Sequence, residues 1–489
     1  MLRRSNGRTT ELPELFCNFR AMKNPYFTAV QGSTKAAFFA MLLSVVFTPL
    51  FLAGQSESLS EGAGTYAPGI AHVDRYYSLL SGKRVAVVAN ATSLLPDGTH
   101  TVDHLLNLGV EVHEVWAPEH GFRGEAAAGE WVSDAVDGKT GLPIRSLYGK
   151  TKRPLNDWLE GLDFVLFDIQ DVGVRFYTYS TTLSYVLDAC LETGVPLVVF
   201  DRANPNGHYV DGPLLAAGFE SMVGLHPIPV VHGLTMGEYA RVVLEKAWVP
   251  QATSAKIEHF ERAGGLHIIA CSGYSHREKY SGFQVPPSPN LRSSEAIALY
   301  PSLCFFEGTP VSCGRGTEQP FTRFGAPWLP AASFPHEFVP MPDVGSARPK
   351  FQGQRCHGAS LSSLKAGGLE VNETEKSPWM LDGKPFVPKD DRIHWEPLFE
   401  VYAAWMAQVA GTQPQEGKQS GAAQGGQPME RVVNEPFFSS FFSLLAGSKR
   451  LQNALEAGWS IERWQESYAD EVSDYRALVR PYLLYDSWN

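Results

Sequence analysis

The chain has 489 residues, of which 44% are hydrophobic, 12% aromatic and 19% charged. These proportions are typical of a folded globular protein, and the length predicts two domains rather than one. The net charge is −11 without a long run of Lys or Arg, which argues against nucleic acid as a partner. The six cysteines show no CxxC spacing, which excludes a zinc ribbon or a dense disulfide framework and leaves at most one or two bridges.

The first part of the chain carries a segment of the export type. Residues 36–54 form an apolar run of nineteen residues without a charge, preceded by Lys35 and further basic residues. The pattern predicts a signal peptide, although its length also fits a single membrane span. We therefore expect residues 1–65 to be a tail, a signal or anchor and a linker. The protein would be exported to the periplasm or the cell exterior, with 36–54 as a membrane tether if the signal is not cleaved.

Strand and helix patterns then alternate along the chain. Short apolar runs predict strands over residues 84–90, 110–117, 164–170 and 197–201. Helical spacing predicts helices at 101–108 and 185–191, and Thr235 with Glu238 forms a capping-box signature for a third. Strands that are apolar throughout and separated by helices indicate a parallel sheet covered on both faces. The sequence therefore predicts an α/β fold, with a Rossmann-like catalytic domain over residues 66–290.

The amino-acid composition and the predicted secondary-structure pattern change beyond Pro286. Residues 305–328 are rich in Gly and charge between aromatic residues, and 437–485 regain a helical pattern. Between them, the Gly, Gln and Ser content near 411–428 predicts a flexible insertion. Residues 291–489 are therefore expected to form a smaller α+β auxiliary domain.

Polar residues follow the predicted strands at the edge where ligands bind to parallel sheets. They are Asn90 after the first strand, Glu119 and His120 after the second, Asp168, Gln170 and Asp171 at the third, and Asp201 and Arg202 at the fourth. Neither GxGxxG nor GxxxxGK[ST] follows the first strand, which disfavours a dinucleotide or P-loop nucleotide site. GxSxG is absent too, which weakens an α/β-hydrolase assignment. We predict no cofactor.

The stretch "WAPEHGFRGE", residues 116–125, offers a candidate general acid. Protonating a glycosidic oxygen requires a carboxylic acid with a raised pKa, and Glu119 has Trp116, Pro118 and Phe122 near it in sequence. Two alternatives stay open: Glu119 could cap a helix, or it could bind a metal with His120. Because no second ligand pair stands at zincin spacing, we predict no metal site.

A second group of polar residues stands in "FDIQDVGVRFYTYSTTL", residues 167–183. Asp168 and Gln170 alternate with apolar neighbours and therefore point to one side of a strand. Arg175, Tyr177 and Tyr179 follow in a predicted loop at the same edge. This density of Asp, Gln, Arg and Tyr suits a polyhydroxylated ligand, although an Asp and Arg that only satisfy one another would give the same pattern.

Later motifs contain further candidate ligand-binding residues. Asn204 lies in a Pro- and Gly-rich turn. Because Asn and Asp side chains commonly stabilise such turns, a structural role explains this residue as well as ligand binding does. His232 directly precedes the capped helix, in which Glu238 fits a capping role. Arg315 and Glu318 stand between glycines, either in a plain turn or in a wall that closes on the ligand.

Taken together, the ordered motifs resemble those of the exo-β-N-acetylmuramidase family, long classed as a domain of unknown function. They are "PEHGFRG", "TGLPIRSLYG", "FDIQDVGVRFYTY", "FDRANPNG", "GPLL", "PIPVVHGLTMGE", "SPN", "EGTPVSCGRGTEQPF", "FGAPW" and "YLLYD". The resemblance implies a glycoside hydrolase that removes terminal β-linked N-acetylmuramic acid from peptidoglycan fragments. It also implies a Rossmann-like domain joined to a smaller α/β domain.

The resemblance assigns the catalytic glutamate to Glu119, with His120 beside it. It places Gln170, Tyr177 and further motif residues in the same cleft. Of these, Asp168 or Asp171 would act as base or nucleophile, unless the 2-acetamido group of the substrate replaces a protein nucleophile.

A guanidinium matches the lactyl carboxylate of muramic acid with two parallel hydrogen bonds, and Arg175 is the first candidate, ahead of Arg123 and Arg315. Asp201, Asn204, His232 and Glu318 complete the predicted substrate-binding set. Two other classes stay open: a hydrolase of a different amino sugar, including a metal-dependent one, and a non-catalytic cell-wall glycan-binding protein.

Overall fold

A seven-stranded sheet, numbered here in chain order, organises the first half of the computed structural model. Its strands are β1 Arg84–Ala89, β2 Glu111–Ala117, β3 Ala135–Val136, β4 Pro143–Ser146, β5 Phe164–Asp168, β6 Leu197–Phe200 and β7 Leu266–Ile269. They lie in the order β3-β4-β2-β1-β5-β6-β7, and every pair except β3 with β4 is parallel. Without the short β3, this is the strand order of the Rossmann fold, as predicted.

Helices cover both faces of this sheet. They are α1 Val73–Leu80, α2 Thr101–Asn107, α3 Tyr179–Thr193, α4 Met236–Glu245 and α5 Ser254–Arg262. Successive side chains of a strand point to opposite faces, so β1 feeds two hydrophobic cores. Ala86 and Val88 belong to the core that includes residues of α3 and α4, whereas Val85 and Val87 belong to the core that includes residues of α1 and α2.

A smaller part with antiparallel strands follows, as expected from the change of composition beyond Pro286. Its strands are β8 Arg323–Ala326, β9 His336–Phe338, β10 Cys356–Ser360, β11 Met380–Leu381 and β12 Lys384–Pro385. Its helices are α6 Ser294–Leu303, α7 Glu396–Thr412, α8 Ser440–Ala446, α9 Arg450–Glu456 and α10 Ile461–Val479. The larger hydrophobic core runs across both parts, since Leu187, Leu303 and Tyr475 belong to it. The domain boundary near residue 290 stays a prediction.

The structure describes residues 65–124, 134–362, 379–381, 383–389, 391–412 and 436–488. The predicted signal or anchor at 36–54 and residues 413–428 of the predicted insertion lie outside these ranges. Within them, no helix has both the length and the apolar character needed to cross a membrane. All five cysteines in the described ranges are buried and free, so none forms a disulfide there.

Local predictions hold to within a residue or two for most elements. The exception is α3, predicted at 185–191, which begins six residues earlier at Tyr179. Thr178 and Tyr179 are therefore held at the start of a helix instead of in a loop. The capping box of α4 forms as predicted: Thr235 Oγ1 accepts from Glu238 N at 3.3 Å, and Thr235 N donates to Glu238 Oε2 at 2.9 Å.

Candidate active site

The carboxyl ends of β1 and β5 meet where the strand order of the sheet reverses, which is the expected ligand position in such folds. A pocket of about 270 Å³ opens there. Its walls come from the segments after β1, β5 and β6 and from two further segments of the chain. The lining residues are Thr65, Tyr66, Pro68, Thr92, Leu94, Pro96, Gln170, Arg202, Tyr280, Gly282, Phe283, Gln284 and Val285.

Glu119 follows β2, the strand on the other side of β1. Its carboxylate Oε2 accepts a hydrogen bond from Thr178 Oγ1 at 2.9 Å, and the hydroxyl of Tyr148 is a second hydrogen-bond partner. Residues 118–124 form a turn rather than a helix, with Gly121 N donating to Pro118 O at 3.1 Å. The turn lies beside Thr178, the N-cap residue of α3, so the alternative of a helix-capping role stays open for Glu119. Its partly exposed carboxylate is oriented by side chains from two other segments of the chain.

His120 occupies the strained position of this turn. Its φ is +74°, in the left-handed region that favours glycine, and its side chain is buried. Non-glycine residues in this region cost free energy and cluster at functional sites. The strain is consistent with the predicted position of His120 beside a catalytic group. Among the described residues, no group of three or more His, Cys, Asp or Glu side chains is arranged to hold a metal ion.

Glu119 is linked to the pocket by a chain of hydrogen bonds. The Tyr179 hydroxyl lies 3.4 Å from Glu119 O and hydrogen-bonds the side chain of Asn90. Asn90 Oδ1 accepts from Thr92 N at 2.9 Å and from Thr92 Oγ1 at 2.6 Å, and Thr92 Oγ1 accepts from Gln170 N at 3.0 Å. Because Thr92 and Gln170 line the pocket, these hydrogen bonds connect the backbone of Glu119 to the pocket wall.

Asp168 is fully buried beneath this site. Arg202 donates to both of its carboxylate oxygens, at 2.6 Å and 2.9 Å, and Thr101 Oγ1 is a further donor. The alternative that Asp168 forms a structural ion pair with an arginine is therefore confirmed, and its partner is Arg202 rather than Arg175. A carboxylate saturated in this way is not placed to act as base or nucleophile, which corrects the catalytic assignment of Asp168.

Asp171 is a buried carboxyl near Tyr177 and Tyr179. Its Oδ1 accepts from Gly173 N at 2.7 Å, while Oδ2 has no hydrogen-bond partner within the described ranges. Burial raises the pKa of Asp171 from 3.8 to about 7. Its charge also contributes, after burial, to the raised pKa of Tyr177 and of Tyr179. Asp171 thus lies beside the tyrosines of the site and holds its proton up to neutral pH, although it does not line the pocket.

Tyr177 and Gln170 lie at the predicted edge. The Tyr177 hydroxyl donates to Pro287 O at 2.6 Å, and its ring meets that of Tyr179 edge-on at 4.8 Å between centroids. Gln170 Nε2 donates to Asp171 O and to Ala203 O, both at 2.7 Å. Tyr177 therefore packs behind the pocket and holds Tyr179 and Pro287 in place, whereas Gln170 forms part of the pocket wall.

The three arginines expected to bind the lactyl carboxylate are engaged elsewhere. Arg175 is completely buried and donates to the backbone carbonyls of Pro213, Ile228 and Leu445, at 2.8, 2.9 and 3.0 Å. Since it reaches no pocket, its assignment as a lactyl ligand is corrected to that of a structural residue.

Arg123 and Arg315 are likewise paired with carboxylates. Arg123 donates to both oxygens of Asp137 at 2.9 and 2.8 Å and to Asp103 at 3.3 Å. Mainly for this reason the pKa of Asp137 lies well below its ordinary value. Arg315 pairs with Glu307. Neither arginine contributes to the pocket at the end of β5.

Asp201, Asn204 and His232 are buried structural residues. Asp201 accepts from Thr235 Oγ1 at 2.7 Å and from Gly237 N at 2.8 Å, which fixes the start of α4 on the sheet. Asn204 Nδ2 donates to Leu234 O at 2.9 Å, and His232 is fully buried. Leu234 N donates to His232 Nδ1 at 3.2 Å, while His232 Nε2 has no hydrogen-bond partner among the described residues. None of the three residues lines the pocket at the end of β5, so their contact with substrate stays a prediction.

Glu318 lies in a different place. It is exposed and lines a second pocket, of about 520 Å³, beside the antiparallel sheet. This pocket shares no lining residue with the one at the end of β5. The structure therefore does not place Glu318 beside Glu119, and its role as a closing wall stays a prediction.

Sequence reasoning missed several residues of the site. Tyr148 follows β4 in the quoted motif "TGLPIRSLYG", so the rule that selects strand ends could have found it, had β4 been predicted. Thr178 lies inside a quoted motif but was not singled out. Tyr66 and Tyr280 carry no such signal, because long-range packing alone sets their rings 4.6 Å apart beside the pocket.

Fold and site together define a Rossmann-like α/β protein with a carboxylate-bearing, tyrosine-lined site at its topological switch point. Models of the N-terminal and C-terminal domains of exo-β-N-acetylmuramidase NamZ match residues 85–295 and 298–485. The chain therefore belongs to the exo-β-N-acetylmuramidase NamZ family, a family of glycoside hydrolases, as the motifs predicted.

Relatives and solved structures agree with this membership. The peptidoglycan β-N-acetylmuramidase NamZ of Bacillus subtilis is 37% identical over 313 residues, which span 61% of this chain and 72% of that protein. A crystal structure of a DUF1343 family protein from Bacteroides fragilis is 32% identical, with a TM-score of 0.67, over 87% of this chain and all of that one. A second such protein, 24% identical with a TM-score of 0.66, covers 86% of this chain and 99% of its own and shares the fold.

Proposed function

We propose that this protein is an exo-acting glycoside hydrolase that releases terminal β-linked N-acetylmuramic acid from peptidoglycan fragments, with Glu119 as its general acid. The observation that carries the proposal is the position of Glu119. Its partly exposed carboxyl group lies at the ligand-binding edge of the sheet and is oriented by Thr178 and Tyr148, and its backbone carbonyl is linked to the pocket by hydrogen bonds. Membership of the family supports the choice of substrate.

In this mechanism Glu119 gives its proton to the glycosidic oxygen as the bond to the terminal sugar breaks. The carboxylate that forms is then stabilised by the hydroxyl groups of Thr178 and Tyr148, which become charge-assisted donors. His120, held in a strained turn, fixes the backbone on which Glu119 stands. These contacts orient the acid before substrate arrives, which is what efficient proton transfer requires.

The second catalytic group comes from the substrate in this proposal. Asp168 is saturated by Arg202, and Asp171 is buried and protonated up to neutral pH. The 2-acetamido group of muramic acid can replace a protein nucleophile, a recognised exception to the two-carboxylate scheme. Such participation predicts retention of the β configuration. NMR of the first-formed product tests it, and release of the α-anomer would contradict it.

The first experiment compares the purified chain with its Glu119→Gln variant on a chromogenic β-N-acetylmuramide. The variant is expected to lose roughly 10²- to 10⁴-fold in turnover. Glu111→Gln is the matched control, because Glu111 is an exposed residue at the opposite end of β2. A fully active Glu119→Gln variant would remove Glu119 from the role of acid. Binding of muramyl saccharides without any release would favour a non-catalytic glycan-binding protein, and release from a glucosaminide alone would favour another amino-sugar hydrolase.

We also propose that the protein acts outside the cytoplasm. The support is the uncharged run at 36–54 together with a substrate class found in the cell wall. Fractionation of the native host, with N-terminal sequencing of the mature chain, distinguishes a cleaved signal from a retained membrane tether. Recovery of the uncleaved chain in the cytoplasm would contradict export.

A further inference from the structure

Among the described residues that line the pocket at the end of β5, Arg202 is the one charged residue. Its Nε and Nη2 atoms donate to Asp168, and Nη2 also donates to Leu94 O at 3.0 Å. Its Nη1 atom makes no hydrogen bond to any residue that the structure describes. Arg202 is only 6% exposed, so Asp168 and Leu94 hold a buried guanidinium that lines the pocket and has one nitrogen without a partner among the described residues.

The surroundings of this guanidinium favour an anion. Asp168 lies behind it and is fully buried, so a ligand in the pocket meets the guanidinium before it meets the carboxylate. The other lining side chains are neutral, and they include the rings of Tyr66, Tyr280 and Phe283. A charge-assisted hydrogen bond in such a partly buried wall is stronger than one in water. The volume of about 270 Å³ fits part of one sugar rather than an oligosaccharide.

The strand that precedes Glu119 and the strand that carries the carboxylate behind Arg202 are close neighbours in the sheet. Glu119 follows β2, and the carboxylate that holds Arg202 ends β5. Both strands are direct neighbours of β1, so their axes are separated by two strand spacings, about 10 Å. One sugar residue with a substituent, bound by a hydrogen bond at each end, spans a gap of this size. A ligand whose glycosidic oxygen meets Glu119 can therefore place an acidic substituent at Arg202.

We propose that Arg202 binds the lactyl carboxylate of the terminal muramic acid through Nη1, and that the pocket at the end of β5 is the lactyl subsite. The inference rests on the proposed function and deepens it by naming the residue that selects muramic acid. Asp168 is then a positioning residue, because its bidentate contact fixes the plane of the guanidinium. Arg175, Arg123 and Arg315 are not placed for this role, since none of them lines this pocket.

The test compares two substrates that differ only at the proposed contact: a chromogenic β-N-acetylmuramide with a free lactyl carboxylate, and the same compound as its lactyl carboxamide. Loss of one charge-assisted hydrogen bond corresponds to about 10- to 100-fold in kcat/KM. The wild-type protein is therefore expected to prefer the acid by about that ratio. Equal rates on the acid and the carboxamide would overturn the proposal without a variant being made.

Variants then assign the preference to Arg202. Arg202→Gln leaves the buried Asp168 unpaired, which endangers folding, so the double variant Asp168→Asn/Arg202→Gln is measured as well. In either variant the ratio of acid to carboxamide rates is expected to fall to within about threefold of unity, since only the acid loses a charged partner. Arg153→Gln is the control, because it breaks an Arg–Asp pair with Asp188 outside the pocket and should leave the ratio unchanged.

The outcomes separate this inference from the proposed function. Wild-type activity with a ratio that survives in the double variant would refute Arg202 as the lactyl ligand and leave the hydrolase proposal intact. No release from either compound, or from an unmodified muramyl disaccharide, would refute the proposed function itself.

Discussion

The ionisation of Asp171 offers a quantitative test of the site, through the change Asp171→Asn. This buried carboxyl has a pKa of about 7 in the folded protein and an ordinary value of 3.8. Between these pH values the folded state keeps the proton while the unfolded chain releases it. Stability that is present below pH 3.8 is therefore lost progressively as pH rises to about 7, and it does not return above that pH.

The size of the effect follows from the two pKa values. A difference of about three units corresponds to about 4 kcal/mol, at about 1.4 kcal/mol per unit. Asparagine has nearly the same shape but does not titrate. We therefore compare the free energy of unfolding of Asp171→Asn with that of wild type at each pH. The difference, variant minus wild type, is expected to be about 4 kcal/mol more positive at pH 8 than at pH 4.

The assay is urea unfolding of both proteins across pH 4 to 8, compared at each pH so that other titrating groups cancel. Asp163→Asn is the control of opposite sign, because a hydrogen bond from Arg84 N and the neighbouring Lys83 hold the pKa of Asp163 below its ordinary value. Its carboxylate should stabilise throughout pH 4 to 8 and lose that effect only below pH 3.8, so the difference between Asp163→Asn and wild type should stay constant across the assay. A difference between Asp171→Asn and wild type that does not change with pH would refute the argument.

Further predictions concern the groups around the site. Thr178→Val removes a donor to the Glu119 carboxylate and is expected to lower kcat about tenfold with little change in KM, measured on a chromogenic muramide. Arg175→Met leaves three buried carbonyls without their donor; urea unfolding should show a loss of about 3 kcal/mol, with an unaltered preference for the free acid over the carboxamide. Gly173→Ala places a Cβ 2.1 Å from Asn204 Oδ1 at φ +73° and is expected to cost roughly 1–3 kcal/mol in thermal unfolding. A chelator is expected to leave the release of muramic acid unchanged, and loss of activity reversed by added metal would contradict this.

The strand ends of the parallel sheet were predictable because they depend on local and topological rules. A run such as "VVAN" can satisfy its backbone and bury its side chains only as an inner strand, and the carboxyl ends of parallel strands must share one edge. That rule was sufficient to place Glu119, His120, Asp168 and Gln170 at the same edge. The capping box at Thr235 was equally local, since both of its hydrogen bonds lie within four residues.

The partners of the polar side chains could not be predicted in the same way. Asp168 stands seven positions from Arg175 in the sequence, yet it pairs with Arg202, which a separate strand brings to its side. Arg175 is instead drawn into the core by three carbonyls, one of them 270 residues away.

The sequence by itself therefore determined the fold class, the family and the position of Glu119 at the strand ends, because periodicity and strand order need only near neighbours. Tertiary structure alone decided which arginine faces the pocket, which carboxyl keeps its proton and which hydroxyl groups orient Glu119. Each of these depends on contacts between distant segments and on the exclusion of water around them.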